Sequence, residues 1–255
     1  MFSTFHRALI LFCGILLQSS CATMSWPTTE AGQHTLAETF GVGSVYEVDS
    51  TIQILDTNFS TEASEVHGDM KGRIGLGVQA EYFPVNDYAL FYGVEYRAFE
   101  PTINNDLFDF GQASQTELYL GNRYYLPWGF HGLGSSFRPF LQAKFAYIPA
   151  VRFNMVTRIP LGATGEAVLE SPFRGSPYWT FAAGTGLAYL VSEDLSISLG
   201  VFYELPLSKS SGISDARLIK GSGNDFIDNI LDQLQFEVEL EPFGWIGFLN
   251  INYTF

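Results

Sequence analysis

From Trp245 to Phe255 the chain alternates with a period of two. Trp245, Gly247, Leu249, Ile251, Tyr253 and Phe255 share one strand face, and Ile246, Phe248, Asn250, Asn252 and Thr254 share the other. Successive side chains of a strand point to opposite faces, so this segment sets an apolar surface against a largely polar one. One strand of this kind constrains little. The fold is constrained because the pattern recurs along almost the whole chain, while no segment after residue 22 is long and apolar enough for a transmembrane helix.

Eight segments carry the alternation. In residues 39–55, Phe40, Val42, Tyr46, Val48, Ile52 and Ile54 oppose Gly41, Gly43, Glu47, Asp49 and Gln53. In 71–83, Ile74, Leu76, Val78, Ala80 and Tyr82 oppose Arg73, Gly75, Gly77, Gln79 and Glu81. The third segment sets Leu90, Tyr92, Val94, Tyr96 and Ala98 against Gly93, Glu95 and Arg97; the fourth (115–126) sets Leu118, Leu120, Tyr124 and Leu126 against Glu117, Tyr119, Gly121 and Arg123. In the fifth (137–155), Leu141, Ala143, Phe145, Tyr147, Val151 and Phe153 face away from Gln142, Lys144 and Arg152. The sixth (178–191) opposes Trp179, Phe181, Leu187, Tyr189 and Val191 to Thr180, Gly184 and Gly186. The seventh opposes Leu195, Ile197, Leu199, Val201, Tyr203 and Leu205 to Ser196, Ser198, Gly200 and Glu204, and the C-terminal strand is the eighth. Short connections at 85–88, 127–136 and 192–194 alternate with long polar ones near 56–70, 100–113, 156–177 and 208–234. This rhythm predicts an antiparallel up-and-down transmembrane β-barrel with four surface loops at one end and both termini at the other. Phe236, Val238 and Leu240 alternate with Glu237, Glu239 and Glu241 on the opposite parity to Trp245–Phe255. A bulge at 242–244 that resets the phase, an extension beyond the membrane, or ten strands instead of eight would each account for it.

Both a soluble and a membrane barrel alternate, and the position of the charges separates them. Glu47, Glu81, Glu95, Glu117 and Glu204, with Arg73, Arg97, Arg123, Lys144 and Arg152, fall on one face, and the opposite face is an uncharged apolar band. A small barrel cannot leave such a band in water without associating, whereas lipid solvates it. The 23 Phe and 13 Tyr suit a lipid-facing wall with aromatic girdles. Residues 1–22, with Arg7, an apolar run at 8–17 and Ser20-Cys21-Ala22, read as a cleaved secretory signal peptide; Cys21 is alternatively a lipid-acylation site. Residues 23–38 are then a short periplasmic segment, and 39–255 the barrel domain. Both cysteines, Cys13 and Cys21, lie in the signal segment, which leaves no disulfide framework. The net charge of −14 disfavours nucleic acid as a partner.

The phrases GVEYR at 93–97, GNRYY at 121–125 and GTGLAY at 184–189, together with the closing strand WIGFLNINYTF, resemble the eight-stranded outer-membrane protein A-like and opacity-type barrels of bacteria. The resemblance covers about residues 39–255 and implies an outer-membrane location. It also implies that Leu249, Ile251, Tyr253 and terminal Phe255 serve as the signal read by the barrel-assembly machinery.

Eight strands leave an interior just wide enough for side chains, and unpaired buried charges are costly. Glu81, Glu95, Arg97, Glu117, Arg123 and Lys144 are therefore expected to form a paired network filling the lumen, with a narrow or gated conductance if a pair can exchange partners. The Gly-x-Gly pairs at 41/43, 75/77 and 184/186 have no strand-to-helix junction and are expected to make room for long side chains, not to cradle phosphate. Catalysis finds weak support. His34 precedes the barrel, His67 lies in the first long connection, and His131, near Ser135 and Ser136, lies in a Gly-rich turn. Glu65, His67 and Asp69 could present three metal ligands on one side, but one short segment makes a poor site, and no cofactor is expected. Residues 224–234 have helical apolar spacing with Asn224 as a cap. The sequons at Asn58 and Asn252 carry no implication in a bacterial chain. The expected role is structural or surface-interacting, through acidic extracellular loops that meet lipopolysaccharide or an external partner. Porin-like or small hydrophobic solute transport is the alternative, and a lipid-modifying enzyme the third.

Overall fold

The computed structural model describes residues 31–55, 64–103, 107–126, 137–161, 165–192 and 194–254; the side chains at 42–51, 54–55, 64–71, 73–74 and 101–103 fall outside the described set. The strands are β1 (His34–Leu55), β2 (Ser64–Val85), β3 (Tyr88–Ile103), β4 (Phe108–Phe110), β5 (Ala113–Tyr125), β6 (Phe137–Ile148) and β7 (Val151–Pro160). They continue with β8 (Glu166–Arg174), β9 (Tyr178–Ser192), β10 (Leu195–Pro206), β11 (Ser210–Asp215), β12 (Arg217–Lys220) and β13 (Gln235–Thr254), with one helix, α1 (Asp225–Leu231). Among the described residues no helix is long and apolar enough to cross a membrane.

Eight strands close on themselves in the order β1-β2-β3-β5-β6-β9-β10-β13, and β13 pairs back to β1 from Thr35↔Thr254 to Leu55↔Gln235. Every pairing in the ring is antiparallel. Closure leaves no edge in this ring, so each wall strand has its backbone groups paired on both sides. The tight β2–β3 hairpin has Asp87 at φ 67, a left-handed position that aspartate tolerates better than most residues. The first strand begins at His34, five residues before the expected start at Thr39, so Leu36 and Glu38 already belong to the wall. Eight strands, not ten, complete the circle.

Outward positions on these strands include Leu76, Val78, Leu90, Tyr92, Leu118, Leu120, Leu141 and Val201, all exposed, and they form the apolar band expected of a transmembrane barrel. Glu38, exposed opposite Val78 and Ile251, breaks this band near the terminal end. Aromatic pairs mark two of its levels: His34–Tyr82 and Phe137–Tyr189 toward the chain termini, Tyr147–Trp179 and Tyr203–Trp245 toward the other end.

Away from the termini the wall continues as a second storey. Here β7, β8 and β11 take over from β6, β9 and β10, and β1, β2 and β13 run on through. The interior of this storey is mainly apolar: Ile52, Phe99, Phe108, Phe153, Met155, Leu169, Phe173, Phe236, Val238 and Leu240 are all buried, with the small polar Thr157, Ser171, Ser210 and Ser214 among them. Its outer positions are mostly polar, with Arg152, Asn154, Arg158 and Glu237 exposed beside the apolar Ile213 and Ile219. This arrangement corrects several expectations. Ile52, Val151 and Phe153, assigned to the lipid side, are buried inside, whereas Arg152, assigned to the lumen, is exposed. The causes are local. The β1 register against β13 shifts between Gly41 and Ser44, and interior positions then change from odd (Thr35, Ala37, Thr39) to even (Ile52). Pro149-Ala150 interrupts the fifth segment, so that Ile148 and Val151 both point inward. In β13 no phase reset occurs at 242–244, because Phe236, Val238, Leu240, Ile246, Phe248, Asn250 and Asn252 all face the interior. The chemistry of the interior changes along this strand while its parity does not. The Glu-rich stretch is therefore the outer face of β13 in the second storey, above the apolar band.

All four connections expected as polar loops carry strand: β2 begins at Ser64 within 56–70, and 100–113 hold the end of β3 and all of β4. Residues 156–177 contain the β7–β8 hairpin, and 208–234 contain β11, β12 and α1. Asn224 caps α1 as expected, its Oδ1 accepting from Phe226 N at 3.0 Å, and Leu231 and Leu234 turn into the apolar core.

Candidate functional site: the charged lumen

Alternation on β2, β3, β5 and β6 carries Glu81, Glu95, Arg97, Glu117, Arg123 and Lys144 into the lumen, where all six are buried. They gather in two groups. In the group nearer the second storey, Arg97 is the centre: its Nε and Nη2 donate to the two oxygens of Glu95 at 2.8 and 3.0 Å, a bidentate fork. Its Nη1 lies 2.8 Å from Glu117 Oε2 and 3.5 Å from Glu204 Oε2. Lys144 Nζ donates to Glu117 Oε1 and sits 5.0 and 4.9 Å from the ring centres of Tyr119 and Phe202. In the group nearer the termini, Arg123 Nη1 donates to Glu81 at 2.5 Å, while its Nε and Nη2 donate to Gln142 Oε1 at 3.1 and 2.9 Å. The guanidinium lies over the Phe140 ring at 4.5 Å. Gln79 links the groups, donating to Glu81 and accepting from Tyr119. Beyond Arg123, an Arg138–Asp87 ion pair and Tyr125 lie at the terminal rim.

Sequence reasoning put Glu204 on the polar face and left it out of the network. The structure brings it against Arg97, fully buried, with Oε1 lacking a hydrogen-bond partner among the described residues. The signal available in sequence was its place two residues before Pro206, at the end of an otherwise uncharged strand. Among the described residues the interior thus holds four carboxylates (Glu81, Glu95, Glu117, Glu204) against three cations (Arg97, Arg123, Lys144). Gly75 and Gly186 make room for long side chains as expected, whereas a Cβ on Gly41, Gly77 or Gly184 would first meet the backbone of the neighbouring strand. A Cβ on Gly75 would come within 2.5 Å of Glu95 Oε1, and one on Gly186 within 2.3 Å of the Phe140 ring. The space left among Glu95, Arg97, Tyr119, Arg123 and Lys144 is a cavity of about 10 Å³, on the order of what one water needs.

Of the remaining candidates, Leu249, Ile251 and Tyr253 lie on the outward face of β13, and Phe255 is outside the described residues. His34 stacks on Tyr82 at the terminal rim, 5.0 Å between ring centres, away from the lumen charges. Residues Glu65, His67 and Asp69 lie within β2, outside the loop assigned to them, and their side chains, like those of Glu47 and Arg73, are not among the described ones. His131, Ser135, Ser136, Asn58, Cys13 and Cys21 also lie outside the described residues. Asn252 is buried inside the barrel, donating to Ser198 Oγ at 2.9 Å. The described residues contain no group of three or more metal-ligating side chains.

No protein-family model and no curated protein matches the chain. Among solved structures it is similar to the outer membrane protein OprG of Pseudomonas aeruginosa, at TM-score 0.50 and 13% identity, covering 89% of this chain and 99% of that one. Ail, the attachment invasion locus protein of Yersinia pestis, aligns at TM-score 0.34 and 9% identity, over 88% of this chain and 99% of that one. Neisserial surface protein A aligns at 0.36 and 13%, over 84% and 97%. The likeness to OprG is one of fold: an outer-membrane-type β-barrel.

Proposed function

We propose that the chain is a bacterial outer-membrane barrel that works as a closed scaffold, non-catalytic, holding a folded acidic rim on the outer side of the membrane for structural or surface contacts. The filled interior supports this reading most directly. Glu95, Arg97, Glu117, Glu204 and Lys144 occupy the lumen around a cavity of about 10 Å³, and the apolar second storey lies above them. A hydrated ion needs a continuous polar path, and stacked Phe, Met and Leu side chains interrupt one. The exposed Glu237 and the neighbouring Glu239 and Glu241, engaged by Lys209 at 3.4 and 3.7 Å, supply the rim's charge. Kinship with the outer-membrane protein A-like and opacity-type barrels belongs to the same proposal. So do delivery by a signal segment and the barrel-assembly machinery, and contact of the rim with lipopolysaccharide or an external partner.

Planar-bilayer recording of the refolded protein beside Glu95→Gln tests it. Protein shown to be folded and inserted should be silent. Reproducible conductance steps altered by Glu95→Gln would replace the scaffold reading with solute transport through the barrel.

A further inference from the structure

The β7–β8 hairpin pairs Arg152 directly with Arg174. Both are exposed on the outer surface, while their inward neighbours Phe153 and Phe173 stack at 4.5 Å. Residues directly opposite across an antiparallel pair have Cβ atoms about 4.5–5.5 Å apart, and like charges there weaken the sheet. Neither guanidinium has an ion-pair partner among the described residues; Arg217, across from Glu170, shares that condition, whereas Arg97, Arg123, Arg138, Arg158, Lys144, Lys209 and Lys220 each lie against a carboxylate. The nearest acid along the hairpin's outer row, Glu170, is already met by Asn154 Nδ2 at 3.3 Å. In a chain of net charge −14, two uncompensated arginines side by side form a local cationic island. Their level in the wall supplies the second observation. Five residues back along each path stand Tyr147 and Trp179, stacked at 4.9 Å at the edge of the apolar band. Aromatic girdles mark the headgroup level, and five residues of strand span at most ~17 Å of chain, less along the normal of a tilted wall. Arginine stems can bend several ångströms toward that level. The segments between, Ile148-Pro149-Ala150 and Gly175-Ser176-Pro177, carry no charge.

We propose that Arg152 and Arg174 form a binding site for a phosphate group at the membrane surface, the two guanidinium forks clamping the phosphate of a phosphorylated glycolipid headgroup. An anion between them turns a repulsive cross-strand pair into a bridged one, and arginine forks match phosphate geometry bidentately. The lipid assignment rests on the outer-membrane reading above; the phosphate chemistry itself does not.

The test uses the refolded full chain in neutral detergent micelles, titrated with bis-phosphorylated lipid A, with its dephosphorylated form, and with inorganic phosphate. Wild type should bind phosphorylated lipid A. Arg152→Gln and Arg174→Gln should each weaken binding about tenfold, as expected for loss of one charge-assisted contact. The double variant should bind no better than wild type binds the dephosphorylated lipid, and Arg158→Gln should match wild type. In phosphate-free micelles Arg174→Gln should melt no lower than wild type, because it relieves repulsion; a merely structural arginine would lower the melting temperature. Competition by inorganic phosphate assigns the site to phosphate as such, and arginine-dependent binding without competition assigns it to the lipid headgroup. Equal binding by wild type and the double variant, indifference to the lipid's phosphates, or no binding to any of the three overturns the proposal. Those results would leave the bilayer recordings, and the scaffold reading they test, untouched.

Discussion

The two storeys of this barrel share strands and are inverted in chemistry. In the lower one Leu118, Leu120 and Leu141 face out while Glu117, Arg123 and Lys144 face in. In the upper one Phe236, Val238 and Leu240 face in, and Glu237 on the same strand faces out. The solvent sets the sign of the pattern. Lipid accepts apolar side chains and forces polar groups inward, where they must pair; water does the reverse. β1, β2 and β13 cross the boundary without leaving the sheet, so the inversion needs no domain break, only a change of residue type at fixed parity in β13 or a one-residue shift in β1.

The largest break in the comparison should come from within the lower storey. Glu117→Gln removes the carboxylate to which Lys144 donates, while Arg97 keeps Glu95 and Glu204, and leaving the buried Lys144 ammonium without its partner costs roughly 3–5 kcal/mol. Urea unfolding in micelles measures this, and a loss below about 1 kcal/mol would mean that water hydrates the lumen. Leu169→Ala, fully buried in the upper storey, should cost about 2–5 kcal/mol through lost burial and a cavity. Its cost should be the same in detergent and in liposomes, since lipid does not reach that core. Leu199→Arg, outward in the lower storey and registered with Leu187 and Leu249, should cost roughly 2–4 kcal/mol in liposomes, while Glu237→Arg on the upper exterior should stay within about 0.5 kcal/mol. Equal costs for those two would erase the boundary between the storeys. Asn224→Ala should cost about 1 kcal/mol, confined to α1 and read as faster amide exchange there.

The smallest effect is a pH dependence in the loop before α1. Hydrogen bonds from the Ser222 backbone N–H, at 2.6 Å, and from its hydroxyl, at 2.7 Å, hold the Asp228 carboxyl below its ordinary 3.8. A depressed carboxyl contributes its stabilisation fully above the ordinary value and loses it as pH falls through the folded one. Protection of the Ser222 amide should therefore persist from neutral pH down to that value and decline only below it. A decline already at neutral pH would contradict the assignment.

The alternation on β2, β3, β5, β9 and β10 made the barrel, its strand count and its lower faces legible, because a pleated strand translates every second residue into one surface. Five of the six lumen residues gather around Arg97 and Arg123 for that reason, and Lys144 joins them by the same alternation on β6. In the fifth segment the inward and outward faces exchange beyond Ile148. Alternation records that two faces differ, but a single break such as Pro149-Ala150 exchanges them without disturbing the apparent pattern on either side. Glu204 was seen on the correct face and still left out, since nothing local announces that β10 carries it to within 3.5 Å of a guanidinium on β3.

By itself the sequence determined the architecture: period-two patterning, charges confined to one face over most of the wall, and no apolar helix left a closed antiparallel barrel in lipid as the arrangement that satisfies every backbone group. Only the tertiary structure decided where the apolar outer band ends, which carboxylate meets which cation, and that two arginines 22 residues apart in sequence stand side by side on the outer wall. Periodicity is a property of one strand and its two faces. Register, the place of a one-residue shift and the neighbour across the sheet are properties of pairs of strands, and they are fixed when the ring closes.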